Sequence, residues 1–183
     1  IGASYSASLP LPETAMEART GFFNMLGPHF HYKHSSNWML QGEFLFIFGD
    51  QINEDPLQGL QNEDGFLINS QGFQEPMRYF IRGYISTLMV GKIIPVFGPN
   101  KNSGIAICAG AGFMQHKIHF DYASQSLFQL QDDYLKGYDR LNNGLLLKQS
   151  IGYINYANND LVNFKIEFQI SQGFTENRRS WDY

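Results

Sequence analysis

The 183 residues point to an all-β chain, an antiparallel up-and-down barrel of the transmembrane kind, with eight strands expected and seven legible. Three observations carry this. Seven segments alternate apolar and polar side chains with a period of two, which puts the two sets on opposite faces of a strand. The connections between them alternate short and long, and in an antiparallel meander alternate connections fall at opposite ends of the sheet. The composition is 15% aromatic and only 16% charged, whereas globular chains average about 25% charged residues.

Residues 1–9 are small and weakly alternating, and Pro10 and Pro12 end them. Residues 10–27 form a long connection with Gly21, Phe22 and Phe23. The second strand, 28–34, sets Phe30 and Tyr32 against His29, His31 and Lys33. A short turn at 34–37 leads into the third, 38–48, where Leu40, Phe44, Phe46 and Phe48 oppose Gln41 and Glu43. Residues 50–76 are polar and aperiodic, and are expected to be one large loop. In the fourth strand, 77–97, Tyr79, Ile81, Ile85, Met89 and Ile93 are expected on the apolar face. Arg78, Arg82, Tyr84, Ser86 and Lys92 are expected on the polar one. After the compact turn 98–104 comes the fifth strand, 105–122, small and Gly-rich at first, then carrying His116, Lys117, His119 and Asp121. A bulge is expected near Met114, where the phase shifts. Residues 123–143 are the third long connection, 145–156 the sixth strand and 157–160 a tight turn. The seventh strand, 162–174, alternates most cleanly: Phe164, Ile166, Phe168 and Ile170 against Lys165, Glu167 and Gln169.

The short turns 34–37, 98–104 and 157–160 then share one end and the long connections 10–27, 50–76 and 123–143 the other. That is the layout of a transmembrane β-barrel, with short periplasmic turns and long extracellular loops. In this placement the apolar faces meet lipid. Lys33, Glu43, Arg78, Arg82, Lys165 and Glu167 form a polar network inside a narrow lumen, their desolvation offset by pairing. Trp38, Tyr79, Tyr122 and Tyr156 near strand ends are expected in aromatic girdles. Gly42, Gly83, Gly91, Gly110, Gly112 and Gly152 suit a tightly curved wall. The opposite placement, apolar faces inward, gives a soluble barrel or sandwich.

Composition excludes other classes. A net charge of −4 leaves no basic footprint for nucleic acid. The lone cysteine, Cys108, excludes an internal disulfide and is expected to be a small wall residue. No apolar run of about 18 residues exists to form a transmembrane helix. The opening at Ile1, without a charged segment and apolar stretch, is expected of a processed chain.

With this turn asymmetry, the segments Gly-Phe-Met-Gln-His-Lys-Ile at 112–118 and Gln-Gly-Phe-Thr-Glu-Asn-Arg-Arg at 172–179 carry a resemblance. The chain is similar to the small eight-stranded outer-membrane β-barrels of Gram-negative bacteria, the class of the OmpA transmembrane domain and OmpX, and to outer-membrane proteins of Bacteroidota. The resemblance implies a closed wall in the cell outer membrane. An open edge cannot face lipid, so an eighth strand is expected, either a missing C-terminal strand or one that a partner supplies.

Several side-chain groups invite a chemical reading. His29 and His31, at i and i+2, can chelate a metal if a neighbouring strand adds a third ligand, or simply line a polar wall. His34-Ser35-Ser36 has a His-x-Ser spacing, and His119, Asp121 and Ser124 lie at the end where an outer-leaflet lipid would be cut, as in the similar outer-membrane lipid A deacylases. The acidic clusters Asn53-Glu54-Asp55, Asn62-Glu63-Asp64-Gly65 and Asp132-Asp133 lack EF-hand spacing and read as solvated loop charge. Phe66, Leu67, Ile68 and Phe73 are apolar residues within a loop, expected either to fold over the barrel mouth or to dock on a partner. No catalytic, cofactor-binding or metal-binding residue is assigned.

The expectation is a non-enzymatic outer-membrane barrel, bathed in lipid and lipopolysaccharide, whose long loops bind another protein. By resemblance, one setting is an accessory subunit of a Bacteroidota export machine, including type IX secretion, or of an uptake complex. The alternatives are an outer-membrane lipid-modifying enzyme and a soluble lipocalin-like carrier, the latter requiring Phe164 and Phe168 to line a cavity.

Overall fold

The computed structural model describes residues 1–121, 127, 130–158 and 163–181. Seven strands form one antiparallel sheet in chain order: β1 (Gly2–Ser8), β2 (Phe23–Lys33), β3 (Trp38–Gly49), β6 (Arg78–Ile94), β7 (Gly104–Asp121), β8 (Asn142–Tyr156) and β9 (Asn163–Asn177). Two short strands, β4 (Leu67–Ile68) and β5 (Gln74–Glu75), make a separate hairpin. One-turn helices, α1 (Ala15–Arg19) and α2 (Asp132–Lys136), and a 3-10 turn at Gln58–Leu60 sit in the long connections. The expected all-β meander of seven strands is therefore present, and the loop 50–76 holds more structure than its lack of period suggested.

The sheet is curled into a half-barrel. Lys148 of β8 pairs with Glu43 of β3, and Lys165 Nζ of β9 donates to Gln41 Oε1 of β3 at 3.1 Å. In a flat sheet β3 and β9 would stand four spacings, about 19 Å, apart, beyond the joint reach of those two side chains. Only curvature brings them together. The glycines on the concave side of β6 and β7 permit it: a Cβ on Gly91 would lie 2.4 Å from Cys108 Sγ.

The concave side is layered. Towards the long loops, Phe23, Met25, Leu45, Ile47, Ile81, Ile85, Met114 and Leu146 form one apolar cluster. Towards the short turns, Met39, Met89, Ile93, Ala106, Cys108 and Ile154 form another. Side chains of β3, β8 and β9 place a polar layer between them. Asn100 locks the short-turn end, its Nδ2 donating to Tyr156 O at 2.6 Å, while Lys33 Nζ donates to Asn102 Oδ1 at 2.9 Å.

Several expectations are corrected. β2 begins at Phe23, five residues before the expected start, because Met25 and Phe23 continue its inward face. β6 is turned over: Ile81, Ile85, Met89 and Ile93 are buried on the concave side, whereas Arg78, Arg82 and Lys92 are exposed on the convex one. No bulge interrupts β7, whose pairing with both neighbours runs unbroken past Met114. Of the expected girdle only Trp38 faces out, 51% exposed, with Lys92 Nζ 5.3 Å from its ring centroid. Tyr79 and Tyr156 pack against apolar clusters instead, and Tyr122 lies outside the described residues.

Candidate functional site

Three surfaces hold the functional candidates: the convex wall, the concave polar layer and the cap over the loop end. The register defines rows across the convex wall. One runs Phe44–Ser86–Phe113–Leu145–Phe174, the next Gly42–Leu88–Ala111–Leu147–Gln172, and the next Leu40–Val90–Ala109–Gln149–Ile170. None of these side chains is charged. Charge returns above, at Arg82, Lys117 and Glu176, and below, at Lys92. The seventh expected strand keeps its assigned facing: Ile166 is 70% and Phe168 66% exposed, while Lys165 and Glu167 turn inward. On β6 the ten steps from Arg82 to Lys92 rise about 33 Å along the strand. At a tilt near 40° that projects to about 25 Å, the height of the apolar band of outer-membrane barrels.

Of the expected lumen network, Glu43, Lys165 and Glu167 meet. Lys148 pairs with Glu43, side chains 3% and 9% exposed, and Thr87 Oγ1 donates to the same carboxylate at 3.4 Å. Lys165 pairs with Glu167 at 2.7 Å, and Ser150 Oγ and Gln169 Nε2 donate to Glu167 at 2.6 and 2.9 Å. Lys148 was missed because its neighbours Leu145–Leu147 blur the phase of β8; its inward placement follows only once Glu43 is placed. Lys33 reaches the short-turn end instead, and Arg78 and Arg82 lie on the convex wall, outside the network. Gln41 Nε2 lies 3.2 Å from Cys108 Sγ, so the cysteine is a buried wall residue as expected.

At the loop end, connection 50–77 folds together with Leu127 and residues 130–141. Leu57, Leu67, Ile118, Phe120, Leu127 and Leu130 form a third apolar cluster. Tyr79 stands above the apolar band and donates to Asp55 Oδ1 at 2.8 Å. Burial first, and then the bond to that carboxylate, push its hydroxyl well above the usual phenol range. Asp139, 4% exposed, is gripped by Arg179, whose Nε donates at 2.7 Å, and this bond holds the guanidinium even more firmly protonated than usual. Arg140 and Arg19 both meet Glu54, at 2.9 and 3.5 Å.

The four apolar loop residues separate. Leu67 is buried in the cap and Phe66 is half-buried, whereas Ile68 is 42% and Phe73 65% exposed. Their hairpin is built from a repeat, Asn62-Glu-Asp-Gly-Phe66 and Asn69-Ser-Gln-Gly-Phe73. In each, the Asn backbone N–H donates to the Phe carbonyl, at 2.9 and 3.0 Å, and the Asn Oδ1 accepts from the Phe N–H, at 2.8 and 2.9 Å. Gly65 and Gly72 take φ of 81° and 86°, which only glycine adopts cheaply. The Asn-x-x-Gly-Phe spacing was readable in the sequence. It makes residues 62–65 a turn rather than a cation loop, since the Asn62 oxygen is spent on the backbone.

The remaining candidates do not converge. His29 Nδ1 lies 3.2 Å from Ser4 Oγ, and among the described residues no three metal-ligating side chains cluster with it or with His31. His34 Nδ1 is 2.7 Å from Ser36 Oγ and accepts from the Ser36 N–H at 3.3 Å, the bonding of an exposed turn. His119 and Asp121 are exposed on the convex side of β7; Ser124 lies outside the described residues, as do the side chains of Asp132 and Asp133. No protein-family model, curated protein sequence or solved structure matches the chain.

Proposed function

We propose that this chain forms most of the wall of a non-enzymatic integral outer-membrane β-barrel, and that its loop-end cap binds a partner protein. The carrying observation is the convex band: rows of exposed Phe, Ile, Leu and Val across β3 to β9, free of charge and bordered by charge at both rims. In water such a contiguous apolar surface marks an interaction site or an aggregation hazard. In a bilayer it is the wall that lipid requires. Phe164 and Phe168 are 46% and 66% exposed, so they do not line the cavity that a lipocalin-like carrier needs.

An odd number of up-and-down strands leaves β1 and β9 running the same way. An eighth strand between them would be antiparallel to both, and would close the wall without leaving an edge in lipid. Its inward face would meet Ser4, Ser6 and Ser8 on one side and Lys165, Glu167, Gln169 and Ser171 on the other. That predicts small or polar residues at alternate positions.

For the partner, Ile68 and Phe73 supply the exposed apolar tip, and Leu67 anchors it to the cap. The test of the whole reading is fractionation followed by an unboiled gel. A folded barrel is extracted only with detergent and migrates differently before and after boiling. Purification as a monodisperse protein without detergent would refute it.

A further inference from the structure

The convex wall carries one corner that the barrel itself does not need. Arg82 of β6 and Lys117 of β7 are direct cross-strand partners, with His119 in the next row of the same face and Arg78 in the row beyond it. Like charges placed directly opposite destabilise a sheet. Asp121 stands opposite Arg78, and Asp50 follows the end of β3, yet neither forms an ion pair with the four bases among the described residues. Lys117 comes within 3.7 Å of Asp139, whose carboxylate is already taken by Arg179. Arg82 is parked on its own strand, donating to Ile81 O at 3.0 Å with its guanidinium 4.9 Å from the Phe80 ring centroid. With Arg179 sharing the one carboxylate that Lys117 reaches, the corner holds more positive than negative charge at the upper rim of the apolar band.

Directly below it the wall is hollow. Ser86 and Ala111 stand where their neighbours carry large side chains, and the Phe30 ring covers Gly42, leaving an open, shallow groove of about 550 Å³ between Phe30, Phe44, Leu88 and Phe113. Tyr84 roofs it, its ring 5.6 Å from Phe44 and 6.1 Å from Phe113. From Arg82 to Ser86 is four residues, about 13 Å along the strand, so one amphiphile can engage corner and groove together. Both are open on the convex side of β6 and β7.

We propose that this corner and groove bind a phosphate-bearing membrane lipid, its phosphate on Arg82 and Lys117 with Arg78 and His119 flanking, and one acyl chain in the groove. The site rests on the outer-membrane reading and adds a specific lipid class to it. A Lys or Arg at an anionic membrane surface contributes about fivefold in affinity, so the central pair is expected to favour an anionic headgroup by about thirtyfold.

The test is native mass spectrometry of the protein released from nonionic detergent micelles, titrated with phosphatidic acid or with phosphatidylcholine of the same acyl chains. The wild type is expected to retain one phosphatidic acid with about thirtyfold preference, and Arg82→Gln/Lys117→Gln to lose it. Arg82→Lys/Lys117→Arg keeps the charge and should keep the preference, which separates lost charge from lost fold. Inorganic phosphate at matched concentration should not displace the lipid. Equal retention of both lipids by the wild type, an undiminished preference in the Gln pair, or displacement by phosphate would each overturn the proposal. Headgroup indifference in a protein that does enter micelles sinks this inference alone; a protein that never enters them sinks the outer-membrane reading.

Discussion

Replacing Lys148 by Met should be the most damaging single change on the concave side. Its ammonium and the Glu43 carboxylate are 3% and 9% exposed, so each lies far from bulk water. At 4 Å two unit charges attract by about 1 kcal/mol in water and about 4 kcal/mol at an effective dielectric of 20. Without Lys148 the Glu43 carboxylate keeps, among the described residues, only the Thr87 hydroxyl at 3.4 Å. An uncompensated buried charge typically costs about 3–5 kcal/mol, a large part of the roughly 5–15 kcal/mol that holds a protein folded. Removing both charges together, as Glu43→Leu/Lys148→Met, leaves nothing unpaired and should cost less than Lys148→Met alone. The assay is urea unfolding in detergent micelles, with the folded fraction read from the unboiled gel band. A cost below about 1 kcal/mol for Lys148→Met, or a double variant as damaged as the sum of the singles, would show that the pair stands in water. The layered interior would then be wrong.

Other expectations follow from single side chains. Leu88→Arg places a charge on the convex band and should destabilise the folded protein by about 2–4 kcal/mol in a bilayer; in a soluble protein the same exposed substitution would stay within about 0.5 kcal/mol, so urea midpoints in lipid decide between them. Gly42→Val drives a Cβ to 2.0 Å from the Phe30 ring, which must swing away, at about 1–3 kcal/mol; an unchanged unfolding midpoint would refute that packing. Leu67→Ala should cost about 2–5 kcal/mol of local stability, seen as faster hydrogen exchange in the cap with the strands unaffected. Phe73→Ser should leave exchange and gel mobility unchanged yet abolish recovery of the partner protein in a crosslinked pull-down from membranes.

How much was legible depended on whether a strand's two faces differ in chemistry. The facing of β2, β3 and β9 was legible, though not the start of β2, because Phe30, Phe44 and Phe168 alternate with His31, Glu43 and Glu167. The cap was legible only in part. Phe66 to Phe73 stood out as apolar residues in a polar stretch, but which of them turn inward depends on Leu57, Ile118 and Phe120, distant in sequence. The grip of Arg179 on Asp139 joins residues 40 apart and leaves no periodic trace at all. Arg82 and Lys117 carry no local signal of their pairing either, because the register that opposes them is set by the whole of β6 and β7.

β6 explains why a strand with two apolar faces is easily turned over. Its concave residues, Ile81, Ile85, Met89 and Ile93, pack into the layered interior, while its convex residues, Leu88, Val90 and Ile94, face outward. Both faces are therefore apolar at mid-strand, and the period of two nearly vanishes where it should be strongest. The charges then mislead: Arg78, Arg82 and Lys92 share a parity, and in a sheet with one solvated face that parity would mark it. Here they stand at the two ends of the strand, where a charge reports position along the strand rather than facing. Position and facing are separable only by the middle of the strand. Its informative residues were Thr87 and Gly91 on one face and Leu88 and Val90 on the other: the small and polar pair must face the crowded interior, and the bulky pair the wide exterior.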